Sequence, residues 1–156
     1  MREPVLVLGV GNELFTDEGV GVAAARRLAG LRLPGVEVVD GGTLGVGLLP
    51  AIAGREALLI TDAIVRGDAR PGTVIVLRGE EIPDAGPLMV SAHQTGVGQA
   101  LAAADLAGCR PPRLAAVGMV PASLETGYGL SPLAAGRLGR LVAGALDVLA
   151  GWGVHA

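Results

Sequence analysis

The chain has 156 residues, 51% of them hydrophobic, and a formal net charge of −3. That length and apolar content fit one domain spanning residues 1–156 with a full core, and argue against a disordered chain. All twelve basic residues are Arg and none forms a run, which argues against a nucleic-acid partner; the single cysteine, Cys109, rules out an intrachain disulfide or a cysteine-built metal cluster.

With one Phe, one Tyr and one Trp, the core falls to Val, Leu, Ile and Ala. Val5 to Val10 is a continuous apolar run, predicted as a fully buried strand. It is too short to span a membrane and lacks the basic flank and cleavage site of a signal peptide, so the expected location is the cytoplasm, which also suits an unpaired cysteine. A polar turn follows at Gly11 to Asp17. A helix is predicted from about Glu18 to Ala29, with Asp17 as N-cap and Gly30 as its stop. Val36 to Val39 reads as a second strand, Leu44 to Ala53 as a short helix weakened by Gly45 and Gly47, and Ala57 to Ile60 as a third buried strand ending at Thr61 and Asp62.

The next strand, Thr73 to Leu77, follows a short link that contains Gly67, Pro71 and Gly72 and shows no helical pattern. A parallel crossover needs about a dozen residues or more, so this strand is predicted antiparallel. Gln94 to Ala107 reads as a helix, Arg113 to Val117 as a fifth strand. Ser131-Pro132 is a helix start, with Ser as cap and Pro in the first turn. Leu138, Leu141, Val142, Ala145, Leu146 and Leu149 then give a long helix with one buried stripe. Strands alternating with helices imply a three-layer α/β/α sandwich with a mostly parallel, five-stranded sheet and one antiparallel strand.

In such folds ligands bind beyond the carboxyl ends of the strands. The polar residues expected there are Asn12, Asp17 and Glu18 after strand one, Asp40 and Thr43 after strand two, Asp62 after strand three, and His93 before the third helix. Gly9-Val10-Gly11 suggests a dinucleotide fingerprint, with Asp40 near the place of a ribose-binding acid. But Leu14 stands where the third glycine is required, and carboxylates at the helix start would repel a pyrophosphate. Glu18, Asp62 and His93 come from three separate loops and offer two oxygens and one nitrogen, a set that suits Zn, Ni, Mn or Fe with open positions. Read singly, carboxylates at helix starts are common caps, and a lone His is commonly a hydrogen-bonded loop residue, so the residues alone leave both readings open. Cys109 reads as an inert thiol, Ser91 lacks the Gly-x-Ser-x-Gly setting of a hydrolase nucleophile, and His155 lies in the last two residues.

With these residues in view, the chain resembles the hydrogenase maturation endopeptidases over nearly its whole length. Residues Gly9 to Gly21 look like that family's G-x-G-N-x-L-x-x-D-[DE]-x-x-G signature. Asp40-Gly41-Gly42-Thr43, Asp62-Ala63, Ser91-Ala92-His93-Gln94 and Gly118-Met119-Val120-Pro121 with Leu124-Glu125 and Leu130-Ser131 resemble its later motifs. The resemblance implies a five-stranded α/β/α fold and an endopeptidase with Glu18, Asp62 and His93 as metal ligands and catalytic residues. Asp17 is a conceivable acid–base helper. The implied substrate and partner is the nickel-loaded large-subunit precursor of a nickel-iron hydrogenase, trimmed of a short C-terminal peptide. Nickel is thus recognised in the substrate, and zinc or cadmium can occupy the same ligands. Cleavage would use a metal-polarised carbonyl or a metal-activated water. A monomer is expected, with no nucleic-acid or membrane partner. The alternatives are a non-proteolytic metal- or nucleotide-binding α/β module and a different metal-dependent peptidase on a related fold.

Overall fold

The computed structural model describes residues 2–42, 45–82 and 96–155. Five strands form one sheet: β1 (Val5–Val10), β2 (Val36–Gly42), β3 (Ala57–Ala63), β4 (Val74–Arg78) and β5 (Arg113–Met119). Their order is β2-β1-β3-β5-β4. All neighbours run parallel except β4, which pairs antiparallel with β5, Val76 opposite Val117. The short Ile64–Thr73 link permits only that return, as its length predicted.

Alternation along each strand divides the core into two. Val5 and Val7 of β1, Leu59 of β3 and Val117 of β5 face α1 (Val20–Gly30) and α4 (Pro132–Gly151). Leu6, Leu8, Leu58, Ile60 and Leu114 face the opposite layer, made by α2 (Leu49–Ile52) and α3 (Gly96–Leu106). Both layers are needed because every position of β1 and β3 is buried. The last helix begins as predicted: Ser131 caps it by accepting from the Ala134 N–H, and Leu138, Leu141, Val142, Ala145 and Leu149 line its buried side.

Three local expectations change. The first helix does not begin at Glu18: a 3-10 turn covers Thr16–Gly19 and α1 starts at Val20, with no side chain capping it. Asp17 is therefore not an N-cap. The predicted Leu44–Ala53 helix is a 3-10 turn at Gly45–Leu48 followed by the single turn of α2, as glycines at 45 and 47 favour; Leu44 lies outside the described residues. Strands β2, β3 and β5 each run further toward their carboxyl ends than their apolar runs suggest. No helix among the described residues is long and apolar enough to cross a membrane.

Candidate active site

The chain leaves β1 toward β2 on one side and reaches β3 on the other, so β1 and β3 are neighbours whose connections diverge. In open α/β sheets such a switch point is where ligands bind, at the carboxyl edge. Glu18 lies in the turn after β1, and Asp62 lies next to the last residue of β3. Tight packing draws the two together. A Cβ on Gly21 would lie 2.2 Å from the Thr61 carbonyl oxygen and 2.6 Å from the Asp62 Cα. Only glycine lets the start of α1 press on the end of β3, and the Thr61 hydroxyl locks the contact by donating to the Gly21 carbonyl at 2.7 Å. Gly9 has a similar cause: a Cβ there would lie 2.5 Å from the Ala25 Cβ. The glycine that suggested a nucleotide fingerprint serves helix-to-sheet packing.

Both carboxylates are buried, Glu18 and Asp62 each at 1% exposure. Burial pushes the Asp62 carboxyl well above its ordinary value; a hydrogen bond from the Ala63 N–H at 2.8 Å opposes the rise, and the charge of nearby Glu18 adds to it. By alternation Asp62 belongs to the same sheet face as Leu58 and Ile60, which α3 covers. His93, Ser91 and Thr43 lie outside the described residues. Among the described residues no three His, Cys, Asp or Glu side chains form a metal-binding group.

Asp17, beside Glu18, is fully buried and ties two segments together. Its Oδ2 accepts from the Ala122 and Ser123 N–H groups at 2.9 and 3.2 Å and from the Ser131 hydroxyl at 2.7 Å; its Oδ1 accepts from the Ser131 N–H at 2.8 Å. Four donors tie the 3-10 turn to the segment between β5 and α4. Ser131 was legible as a helix cap, whereas its bond to Asp17 spans most of the chain and leaves no local sequence signal. At the rim, Asn12 Oδ1 accepts from the Leu14 N–H at 3.0 Å, so the loop closes as an Asx turn with Leu14 in the place of the missing glycine. Asp40, at the end of β2, caps its own bend through the Gly42 N–H and shares Arg26 with Glu13. This double pairing raises the Arg26 pKa further above its already high value, first through Glu13. Cys109 is half-buried after α3, and His155 is exposed.

A model of the hydrogenase maturation protease family matches residues 22–148. The chain belongs to that family. The hydrogenase 2 maturation protease of Escherichia coli K12 is 45% identical over 130 residues, which cover 82% of this chain and 79% of that protein. The hydrogenase expression/formation protein HupD of Rhodobacter capsulatus is 41% identical, over 98% of this chain and 74% of that protein. Among solved structures, the hydrogenase maturating endopeptidase HybD from Escherichia coli superimposes with a TM-score of 0.87 at 39% identity, covering 99% of this chain and 96% of that one. The maturation protease is therefore a peptide-bond hydrolase with the five-stranded mixed fold of these endopeptidases, and the nucleotide-binding alternative falls away.

Proposed function

We propose that this protease removes the C-terminal peptide of a hydrogenase large-subunit precursor that already carries nickel, and that Glu18, Asp62 and His93 grip the nickel of that substrate. The observation that carries the reading is the buried carboxylate pair at the β1/β3 crevice. Two buried carboxylates whose charges oppose each other are relieved by a divalent cation, and oxygen donors joined by an imidazole suit nickel while leaving positions open for the substrate's own ligands. A precursor without nickel cannot make that contact, so the metal acts as a licence for cleavage. Nickel supplies Lewis-acid chemistry at the adjoining peptide bond. The chain's own residues hold the ion: Asp62 from the end of a rigid strand, Glu18 from the turn that Asp17 ties down.

Incubation with nickel-loaded and nickel-free precursor in chelator-containing buffer, followed by mass, tests the reading. The loaded precursor should lose its C-terminal peptide and the metal-free one should not. His93→Ala should abolish trimming while the circular dichroism spectrum stays that of wild type. Equal cleavage of the two precursors would refute the licence.

A further inference from the structure

Two loops at the carboxyl edge are zipped into one rim. The Thr16 N–H donates to the Gly127 carbonyl at 2.9 Å, and the Gly127 N–H donates to the Leu14 carbonyl at 2.8 Å, a parallel bridge between Phe15 and Gly127. The Thr16 hydroxyl donates to the Glu125 carbonyl, which holds Thr16 in the left-handed region at φ +53°. On this pinned backbone Leu14 is 60% exposed and Tyr128, the only tyrosine, 78% exposed. Between Tyr128 and the 3-10 turn opens a cavity of about 100 Å³, lined by Glu13, Thr16, Gly19, Ala23, Tyr128 and Leu130 among others. The Glu13 carboxylate is held by Arg26 through both oxygens, at 2.7 and 2.9 Å.

We propose that this rim is the substrate-docking surface: the cavity beside Tyr128 takes one aliphatic side chain of the precursor polypeptide, and exposed Leu14 on the same rim adds apolar contact to it. The inference rests on the endopeptidase reading above and adds the residues that select the substrate. Its occupant follows from position. A chain that is cleaved at the β1/β3 crevice must cross the carboxyl edge, and the rim walls that edge. One turn joins the two places. Residues three apart eclipse in a 3-10 turn, so Thr16 and Gly19 share the face toward the cavity while buried Glu18 turns from it. Binding at the cavity therefore bears on the turn that carries Glu18. The lining narrows the side chain: its exposed surface is mostly apolar, which suits an aliphatic group. Large apolar side chains on a hydrogen-bonded backbone also bind with little backbone ordering left to do.

The test is steady-state processing of nickel-loaded precursor by a Leu14→Ser/Tyr128→Ala double variant, with Leu106→Ser as control. Leu106 is 92% exposed near the end of α3, at the opposite edge of the sheet. The double variant should raise KM about tenfold or more while kcat stays within about twofold of wild type and the melting temperature is unchanged; the control should match wild type. A double variant with wild-type KM overturns the proposal. So does a wild-type dimer in sedimentation that the double variant dissociates while KM is unchanged, since the rim's partner would then be a second copy. Glu18→Gln, assayed beside them, separates this inference from the nickel reading. Normal cleavage by Glu18→Gln with a raised KM in the rim variant keeps the rim and removes the nickel contact. An inactive Glu18→Gln with a normal KM in the rim variant removes the rim alone.

Discussion

Asp17 and Glu18 are adjacent, both acidic and both buried in one 3-10 turn. Asp17 turns toward the segment after β5 and accepts three N–H groups and one hydroxyl, so its oxygens are engaged within the protein. An acid–base residue must reach the atom it protonates. The bonding of Asp17 supports a positioning role. Removing it leaves four partly buried donors without their acceptor. Asp17→Ala should cost roughly 1–3 kcal/mol, the range for leaving hydrogen-bond donors unsatisfied, and lower the melting temperature by about 3–10 °C. Asp17→Asn keeps the shape but puts an N–H where an acceptor is needed, and should fall between. A thermal melt of Asp17→Ala within a degree or two of wild type would show that the four bonds do not hold this edge together.

At the scale of elements, the decisive contact is α1 against the end of β3. Gly21 allows it, and Thr61 fixes it. A methyl at position 21 meets backbone at 2.2 Å, which no rotamer change can relieve, so α1 must move. Gly21→Ala should therefore destabilise by about 1–3 kcal/mol, the usual cost of overpacking, and also impair trimming, because the shift carries Glu18 away from Asp62. Chemical denaturation checks the first effect and the mass-shift assay the second; a variant that keeps both at wild-type values would mean that the contact is softer than the geometry shows. The sequence announces this element only in part. The apolar run of β1, the short link that forces β4 to reverse and the Ser131-Pro132 cap are local signals, and each led to the right element. Where α1 begins is not local. Asp17 and Glu18 look like N-terminal helix residues, but partners far along the chain, Ser123 and Ser131, draw Asp17 into a 3-10 turn. Thr16 at positive φ is equally hidden, since a β-branched residue adopts it only where tertiary bonds impose it, at about 1–3 kcal/mol. Glu18 and Asp62 were legible as polar residues at strand ends beside a switch point, where such residues gather, whereas the Gly21 contact that packs the start of α1 on the end of β3 leaves no local signal.

For the whole molecule, the sheet sets the candidate site apart from the one cysteine. The carboxyl edge holds Glu18, Asp62 and the rim, while the connection from α3 to β5, which contains Cys109, lies at the amino edge. Strand β3 has 7 residues, and at about 3.3 Å per residue it sets the two edges roughly 20 Å apart. The only thiol therefore cannot reach a peptide bond in the β1/β3 crevice. Its surroundings agree: Cys109 packs against the apolar layer of α3, and its N–H closes the helix by donating to the Ala104 carbonyl at 2.9 Å. A nucleophilic cysteine needs a partially exposed, electropositive setting and a base within hydrogen-bond reach. Cys109→Ser should consequently trim nickel-loaded precursor at the wild-type rate. Iodoacetamide should leave activity unchanged even where it alkylates the thiol. A serine-directed fluorophosphonate should also be without effect, because the described serines near the edge, Ser123 and Ser131, are occupied in holding Glu125 and the Asp17 tie. Loss of trimming with either reagent at full occupancy, or in Cys109→Ser, would place a covalent nucleophile in the reaction and displace the carboxylate crevice as its centre.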